Sequence, residues 1–503
     1  MLRTAVAQLH HGLSLVFGRR LRVANIERVV ADIVATRAEF GGIGDLDAFR
    51  GTSMSVQDRK PIDDRRLRRL ARMAYAETPY YRDLFDRVGM RPDEVNLSTL
   101  ERLPVTRKET LRDTPEALVN RGVRPWYRAE TSGTTGPPSS VWFSRYEAEL
   151  LTAMTAVSLL IDNRLGEGDV IQLNLVSRAF FGIHCFAGAA ALIGVAPSSL
   201  GLVEPEISLS RLAGGTRLSG AEARPVLLVT YSSYLGLLVE AGERLGYTAA
   251  DFGLRQITCG GEILTEGLRR RAERLFGATV VETYGMTEIA PSSGQICTGG
   301  HLHFHPEQGI TEVLDLTGTR AAEPGELGVL TFTPVFPYRE TTLLLRLFSG
   351  DVVRRLADDD LGCELAQLPA TSRVLGKDGH LYGFGGRTVT PRDILELVEA
   401  DPAARFPSRW SLRTGTDGLE LHILGDDPQA ADRIRKRGLE QEIPLSRVIV
   451  HGERATMPPT APVRADLREL SFADATLKTD ATLKTDASLK TDASLKKHPE
   501  TAQ

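Results

Sequence analysis

From about Asp63 onward, runs with a helical period alternate with short apolar runs, the rhythm of an α/β chain in which helices cover strands. Asp63 to Ala76 is basic with helical spacing, and Glu147 to Ile161 repeats that spacing with apolar residues. Val170 to Asn174, Pro225 to Thr230, Gln256 to Thr258 and Thr279 to Val281 predict strands, the last ending just before Tyr284. Past residue 380 the pattern predicts a compact mixed unit. It holds a helix over Pro391 to Ala400, opened at a position proline favours, and strands at Leu419 to Leu424 and Val448 to His451.

The two ends follow other rules. Leu2 to Phe17 is fairly apolar, but His10 and His11 interrupt it and Arg19 and Arg20 follow it, which does not fit a signal peptide. Residues 1–60 are expected to be a leader, a packing arm that is helical around Leu21 to Ala38. Asp474 to Lys496 repeats a hexad in which one leucine per repeat matches neither a helical nor a strand period, so residues 469–503 are expected to be disordered.

Composition excludes more than it assigns. A chain of 503 residues is too long for one hydrophobic core. A net charge of −4 offers no global footprint for nucleic acid or an anionic membrane, and no run approaches the roughly 18 apolar residues of a spanning helix. The 4 cysteines form no CxxC pair and fit a reducing compartment, so a cytoplasmic location is expected.

The segment Thr131-Ser-Gly-Thr-Thr-Gly-Pro-Pro-Ser-Ser140 packs hydroxyls and glycines as a polyphosphate-wrapping loop does. Its spacing is not GxxxxGK[ST], so it is not the ordinary P-loop. Downstream, in fixed order, come Cys259-Gly-Gly-Glu262, Val281-Glu-Thr-Tyr-Gly-Met-Thr-Glu288 and Phe348-Ser-Gly-Asp351. With Pro79-Tyr-Tyr-Arg82, Leu103-Pro-Val-Thr-Arg-Lys108 and Gly325-Glu-Leu-Gly328, this order resembles the adenylate-forming superfamily, and within it the phenylacetate-CoA ligase branch, from about residue 65 to about 468.

The resemblance implies a large nucleotide- and acid-binding domain at 61–375 and, from a hinge at 376, a small mobile α+β domain to 468. It implies ATP and Mg²⁺, with CoA or a carrier protein as acyl acceptor and a small carboxylic acid as substrate. Thr131, Ser132, Gly133, Thr134, Thr135 and Gly136 would hold the β and γ phosphates, Thr287 the α phosphate, and Glu288 the metal. Tyr284 and Gly285, with the turn Gly260-Gly261-Glu262, would line the adenine, and Asp351 would accept both ribose hydroxyls. Phe181, His184, Tyr231, Tyr234 and Met286 lie where relatives build the acyl pocket, which suits an aromatic or medium-sized apolar acid.

Departures matter as much. The phosphate loop has Pro137 where the family carries lysine, and the hinge reads Gly376-Lys-Asp-Gly-His380, so Lys377 keeps a ribose-side cation while Gly379 replaces an aspartate. The C-terminal catalytic lysine position falls on Val463, beside Arg464. Three readings follow: an acid–CoA ligase, a specialised biosynthetic relative that activates another small acid without thiol transfer, or a nucleotide-binding homologue without turnover. Separately, Cys297, His301, His303 and His305 offer a metal-ligand set that Cys259 could complete, since alternating residues of a strand share a face, although no second cysteine lies near in sequence.

Overall fold

The computed structural model describes residues 2–41, 54, 56–131, 139–176, 180–218, 221–357 and 361–458. Residues 132–138 of the loop expected to hold phosphate, Val463, Arg464 and the hexad repeat lie outside the described residues.

The arm at the start consists of α1 (Leu2–Val16) and α2 (Val23–Phe40), which pack on each other. Gly41 closes α2 in the left-handed region, its N–H bonded to the Arg37 carbonyl. The expected packing role is met. Leu21 and Ile26 are buried with Tyr146, Leu150 and Tyr338, and the Leu21 N–H donates to the Tyr146 hydroxyl at 3.1 Å. The basic helix α3 (Val56–Glu77) starts upstream of its expected position, and Leu67, Leu70, Ala71 and Ala74 form a fully buried stripe at helical spacing. α4 (Pro79–Val88) opens on a first-turn proline and ends at Gly89.

After β1 (Thr106–Arg107) and α5 (Lys108–Asp113), strands β2 (Tyr127–Glu130) and β3 (Ser140–Phe143) pair antiparallel. α6 (Arg145–Ile161) carries a capping box between Ser144 and Glu147. The chain then alternates: β4 (Val170–Asn174), α7 (Phe180–Leu192), β5 (Ala196–Ser199), α8 (Pro205–Ala213), a hairpin β6 (Thr216–Leu218) and β7 (Ala221–Ala223), β8 (Pro225–Thr230), α9 (Ser232–Leu245), β9 (Gln256–Gly260), α10 (Glu266–Phe276) and β10 (Thr279–Gly285). Next come β11 (Ser293–Ile296), β12 (His301–Phe304), β13 (Gly309–Leu314), β14 (Leu327–Pro334), β15 (Leu347–Arg354), β16 (Ala370–Ser372) and β17 (Gly376–Lys377).

These strands make two principal sheets. One has 8 strands in the order β16-β12-β11-β10-β9-β8-β4-β5, parallel from β5 to β10 and antiparallel beyond. The other has 5, in the order β1-β15-β14-β13 with β17 added on β15. β10 corrects one expectation. Instead of stopping before Tyr284, it runs through to Gly285, because β11 pairs back on it with Tyr284 opposite Gly294.

The last part is β18 (Tyr382–Phe384), β19 (Arg387–Val389), α11 (Pro391–Glu399), β20 (Trp410–Thr414), β21 (Leu419–Leu424), α12 (Ala430–Glu440) and β22 (Leu445–His451), around a core that includes Ile394, Trp410, Leu421 and Ile434. It is keyed to the large sheet. Arg392 of α11 donates to the Leu264 and Val374 carbonyls at 2.9 and 2.7 Å and pairs with Glu282 of β10 at 2.7 Å. A Cβ at Gly267 of α10 would lie 2.1 Å from the Glu399 carbonyl oxygen, so this contact requires glycine.

Candidate active site

Strand pairing builds the site. β1 runs parallel to β15 with Arg107 beside Phe348, which delivers Lys108, the next residue, to the Phe348–Asp351 segment. β17 pairs antiparallel with β15 and sets Lys377 opposite Asp351. β10 supplies Tyr284, and the chain leaving it supplies Met286, Thr287 and Glu288.

The side chains meet as two charge-bearing groups. The Asp351 carboxylate receives the Tyr284 hydroxyl at 2.9 Å and faces the Lys377 ammonium at 2.7 Å. The Lys108 ammonium lies 3.3 Å from the buried Glu288 carboxylate and 3.7 Å from the Met286 sulfur. Burial pushes the Asp351 carboxyl upward, but Lys377, Lys108 and the Tyr284 hydroxyl outweigh it, and the group is held below the ordinary carboxylate value. For Lys108 burial acts downward, yet Glu288 and Asp351 hold the ammonium above the ordinary lysine value. Burial and the adjacent Asp351 charge push the Tyr284 phenol well up, so it stays a neutral donor.

The loop between β2 and β3 is clamped at its described ends. The Thr131 N–H donates to the Ser139 carbonyl at 3.0 Å, and the Ser139 N–H donates to the Thr131 hydroxyl at 2.9 Å. Ser132, Gly133, Thr134, Thr135 and Gly136 themselves lie outside the described residues.

Sequence comparison decides the family. Phenylacetate-coenzyme A ligase of Escherichia coli (strain K12) is 32% identical over 367 residues, covering 68% of this chain and 77% of that protein. The chain belongs to the phenylacetate-CoA ligase branch of the adenylate-forming enzymes. Residues 125–325 match the model of the AMP-binding enzyme family, and phenylacetate-coenzyme A ligase of Thermus thermophilus is 28% identical over 395 residues, 73% of this chain and 82% of that one. The fold agrees. A 2-hydroxyisobutyryl-CoA ligase in the postadenylation state superposes with TM-score 0.66 at 18% identity, covering 81% of this chain and 89% of its own. The same ligase with 2-HIB-AMP and CoA in the thioesterification state gives 0.55 at 19% identity, over 85% and 94%.

Within this ligase-family chain the other expected residues are distributed unevenly. Gly260 ends β9, and Gly261, at φ +78°, turns with a Cβ position 3.4 Å from the Tyr231 ring. Glu262 accepts from the backbone N–H and hydroxyl of Ser233 at 2.7 and 3.0 Å, bracing the first turn of α9. Phe181 is buried and stacked on Tyr127 and Phe143, with centroids 5.0 and 4.1 Å away. Tyr234 is buried with its hydroxyl on the Val203 carbonyl at 2.6 Å, while His184 is exposed beside Trp126. A cavity of about 880 Å³, lined by Arg20, Arg69, Trp126 and Arg145 among others, includes none of the expected site residues.

Two functional candidates were missed. Lys108 was quoted in a motif but given no role, because only the β1–β15 pairing shows where it ends up. The metal set is corrected as well. Cys297, His301 and His303 gather with Cys363, which stands 60 residues beyond His303. Neither His305 nor Cys259 is in that group; Cys259 sits on β9, three strands from β12 and so roughly 14 Å away at ordinary strand spacing.

Proposed function

We propose that this enzyme activates a small carboxylic acid with ATP and hands the acyl group to CoA. A carboxylate oxygen attacks the α-phosphorus and pyrophosphate departs; the CoA sulfur then attacks the acyl carbon and AMP departs. The observation that carries this reading is the meeting of Tyr284, Asp351 and Lys377 beside Lys108 and Glu288, an acceptor for ribose hydroxyls next to a cation and a hard anionic ligand.

In this reading Asp351, kept ionised by its neighbours, takes the ribose hydroxyls and Lys377 holds it in place. The ring of Tyr284 flanks the adenine with the Gly260–Glu262 turn, and Thr287 faces the α phosphate. The loop from Thr131 to Gly136 takes the outer phosphates. The buried Glu288 carboxylate fits Mg²⁺, which when bound neutralises phosphate charge. Lys108 stands where it can supply the cation that Pro137 and Val463 do not, and we assign it the developing negative charge near the α phosphate.

An aromatic or medium-sized apolar acid fits the neighbourhood of Phe181 and Met286, which belong to one apolar cluster, and phenylacetate is the acid named for the curated relatives. The test is pyrophosphate release from ATP and Mg²⁺ over a panel of aryl and alkyl acids, with and without CoA. Acid-dependent release that rises with CoA and falls by about 1,000-fold or more in Glu288→Ala is expected. No release with any acid, while ATP still binds, overturns the proposal. The loss of lysine at position 463 supports a second reading, acid activation without thiol transfer, and release indifferent to CoA selects it.

A further inference from the structure

The hairpin between β11 and β12 turns through Cys297-Thr-Gly-Gly-His301, closed by the Cys297 N–H on the His301 carbonyl at 3.0 Å and the Gly300 N–H on the Cys297 carbonyl at 2.9 Å. Gly300 takes φ +78°, and a Cβ at Gly299 would lie 3.2 Å from the His301 ring and 3.6 Å from the Cys297 sulfur. The turn therefore folds its cysteine and histidine toward one point. His303 joins them from the same face of β12, while Leu302 and Phe304 go to the opposite, apolar face. Cys363 arrives from the chain before β16, which pairs with β12 so that His303 is opposite Ala370.

We propose that Cys297, His301, His303 and Cys363 form a structural zinc site. Their ligand atoms all lie within 4.8 Å of one another, against the roughly 3.3–3.8 Å between ligands of a tetrahedral zinc with ordinary bond lengths, so contraction by about 1 Å closes the shell. Two thiolates and two neutral imidazoles cancel the zinc charge, which suits the buried positions of Cys297 and His303. Binding releases the two thiol protons.

The surroundings are those of ligands oriented in advance. His303 Nδ1 donates to the Leu368 carbonyl at 3.3 Å, which leaves Nε2 unprotonated and aimed at the Cys363 sulfur 3.5 Å away. His301 Nδ1 is buried with no hydrogen-bond partner among the described residues, an atom that a metal would satisfy. The Cys297 sulfur accepts the His301 N–H at 3.2 Å, and the Cys363 sulfur accepts the Leu365 N–H, contacts that fix where both sulfurs point. Glu364 ties the two ligand segments together through the Thr298 N–H and hydroxyl at 2.9 and 2.6 Å, while Leu365 and Leu368 wall off the side. Four protein ligands leave no open position, so the metal fastens the approach to the hinge at 376 and takes no part in the chemistry.

The test uses the full-length chain, stripped with a chelator under reducing conditions and titrated with Zn²⁺ against a chromogenic competitor. One equivalent should bind, Co²⁺ in its place should show thiolate charge-transfer absorption, and Cys297→Ser and Cys363→Ser should each weaken zinc by about 100-fold or more. Because a variant can misfold, alkylation of the wild-type protein provides an independent arm, with Zn²⁺ slowing modification of Cys297 and Cys363 but not of Cys185. Zinc uptake no greater than that of a Cys297→Ser/Cys363→Ser double variant, a cobalt spectrum without thiolate bands, or a Cys297–Cys363 disulfide in the purified protein overturns the assignment.

Discussion

The two clusters, one around Asp351 and Glu288 and the other at the turn from β11 to β12, solve opposite problems. Around Asp351 and Glu288 each carboxylate already has an ammonium within 3.3 Å, so the group is charged and mutually satisfied before any substrate arrives. Around Cys297 the four side chains are uncharged in their ordinary forms, and one imidazole nitrogen has no partner among the described residues. The first arrangement suits ligands that come and go, because exchanging one ion partner for another changes little. The second suits an ion that arrives during folding and stays.

That contrast can be broken most directly at Lys108. Lys108→Met should lower the rate of pyrophosphate release by about 100-fold, as read by single-turnover kinetics on the folded variant, with a smaller loss of melting temperature because the buried Glu288 carboxylate is left without its ammonium; an unchanged rate removes Lys108 from the chemistry. Chelation of the zinc proposed above should do the reverse, lowering the melting temperature by several degrees and slowing adenylation less than tenfold. A rate that vanishes with the metal while the fold survives would erase the distinction.

The smallest effect belongs to Tyr284→Phe, which removes one hydrogen bond to Asp351 and should weaken ATP binding by about tenfold. It also sharpens the pH behaviour. In the wild type the folded Asp351 value is depressed, so its stabilising contribution is complete above the unfolded carboxylate value of about 3.9 and is lost as pH falls through the lower folded value. With the phenol gone, one of the lowering influences goes too, so the folded value moves toward the unfolded one and the contribution, now smaller, should be lost completely at a higher pH in the variant's acid-unfolding curve.

Much of the architecture was legible in the sequence. Val170–Asn174, Pro225–Thr230 and Leu419–Leu424 are strands with the expected limits, because compact apolar runs bounded by turn residues leave little choice. β10 was read too short because Tyr284 and Gly285 are held extended by a partner strand that local composition does not reveal. The same blindness hid Lys108 and Cys363. Each reaches its cluster through a pairing between strands far apart in the chain, β1 with β15 and β12 with β16. Asp351 and Lys377 were legible only because a familiar order of motifs named them.

One contact outside both clusters bears on how firmly α11 is seated on the large sheet. The Glu399 carbonyl oxygen occupies the place where a side chain on residue 267 would begin, so α10 and α11 meet like a key pushed fully into its lock. Such a joint does not glide. To part α11 from α10, the two would have to withdraw across the whole face, with Arg392 giving up Glu282 and two carbonyls together.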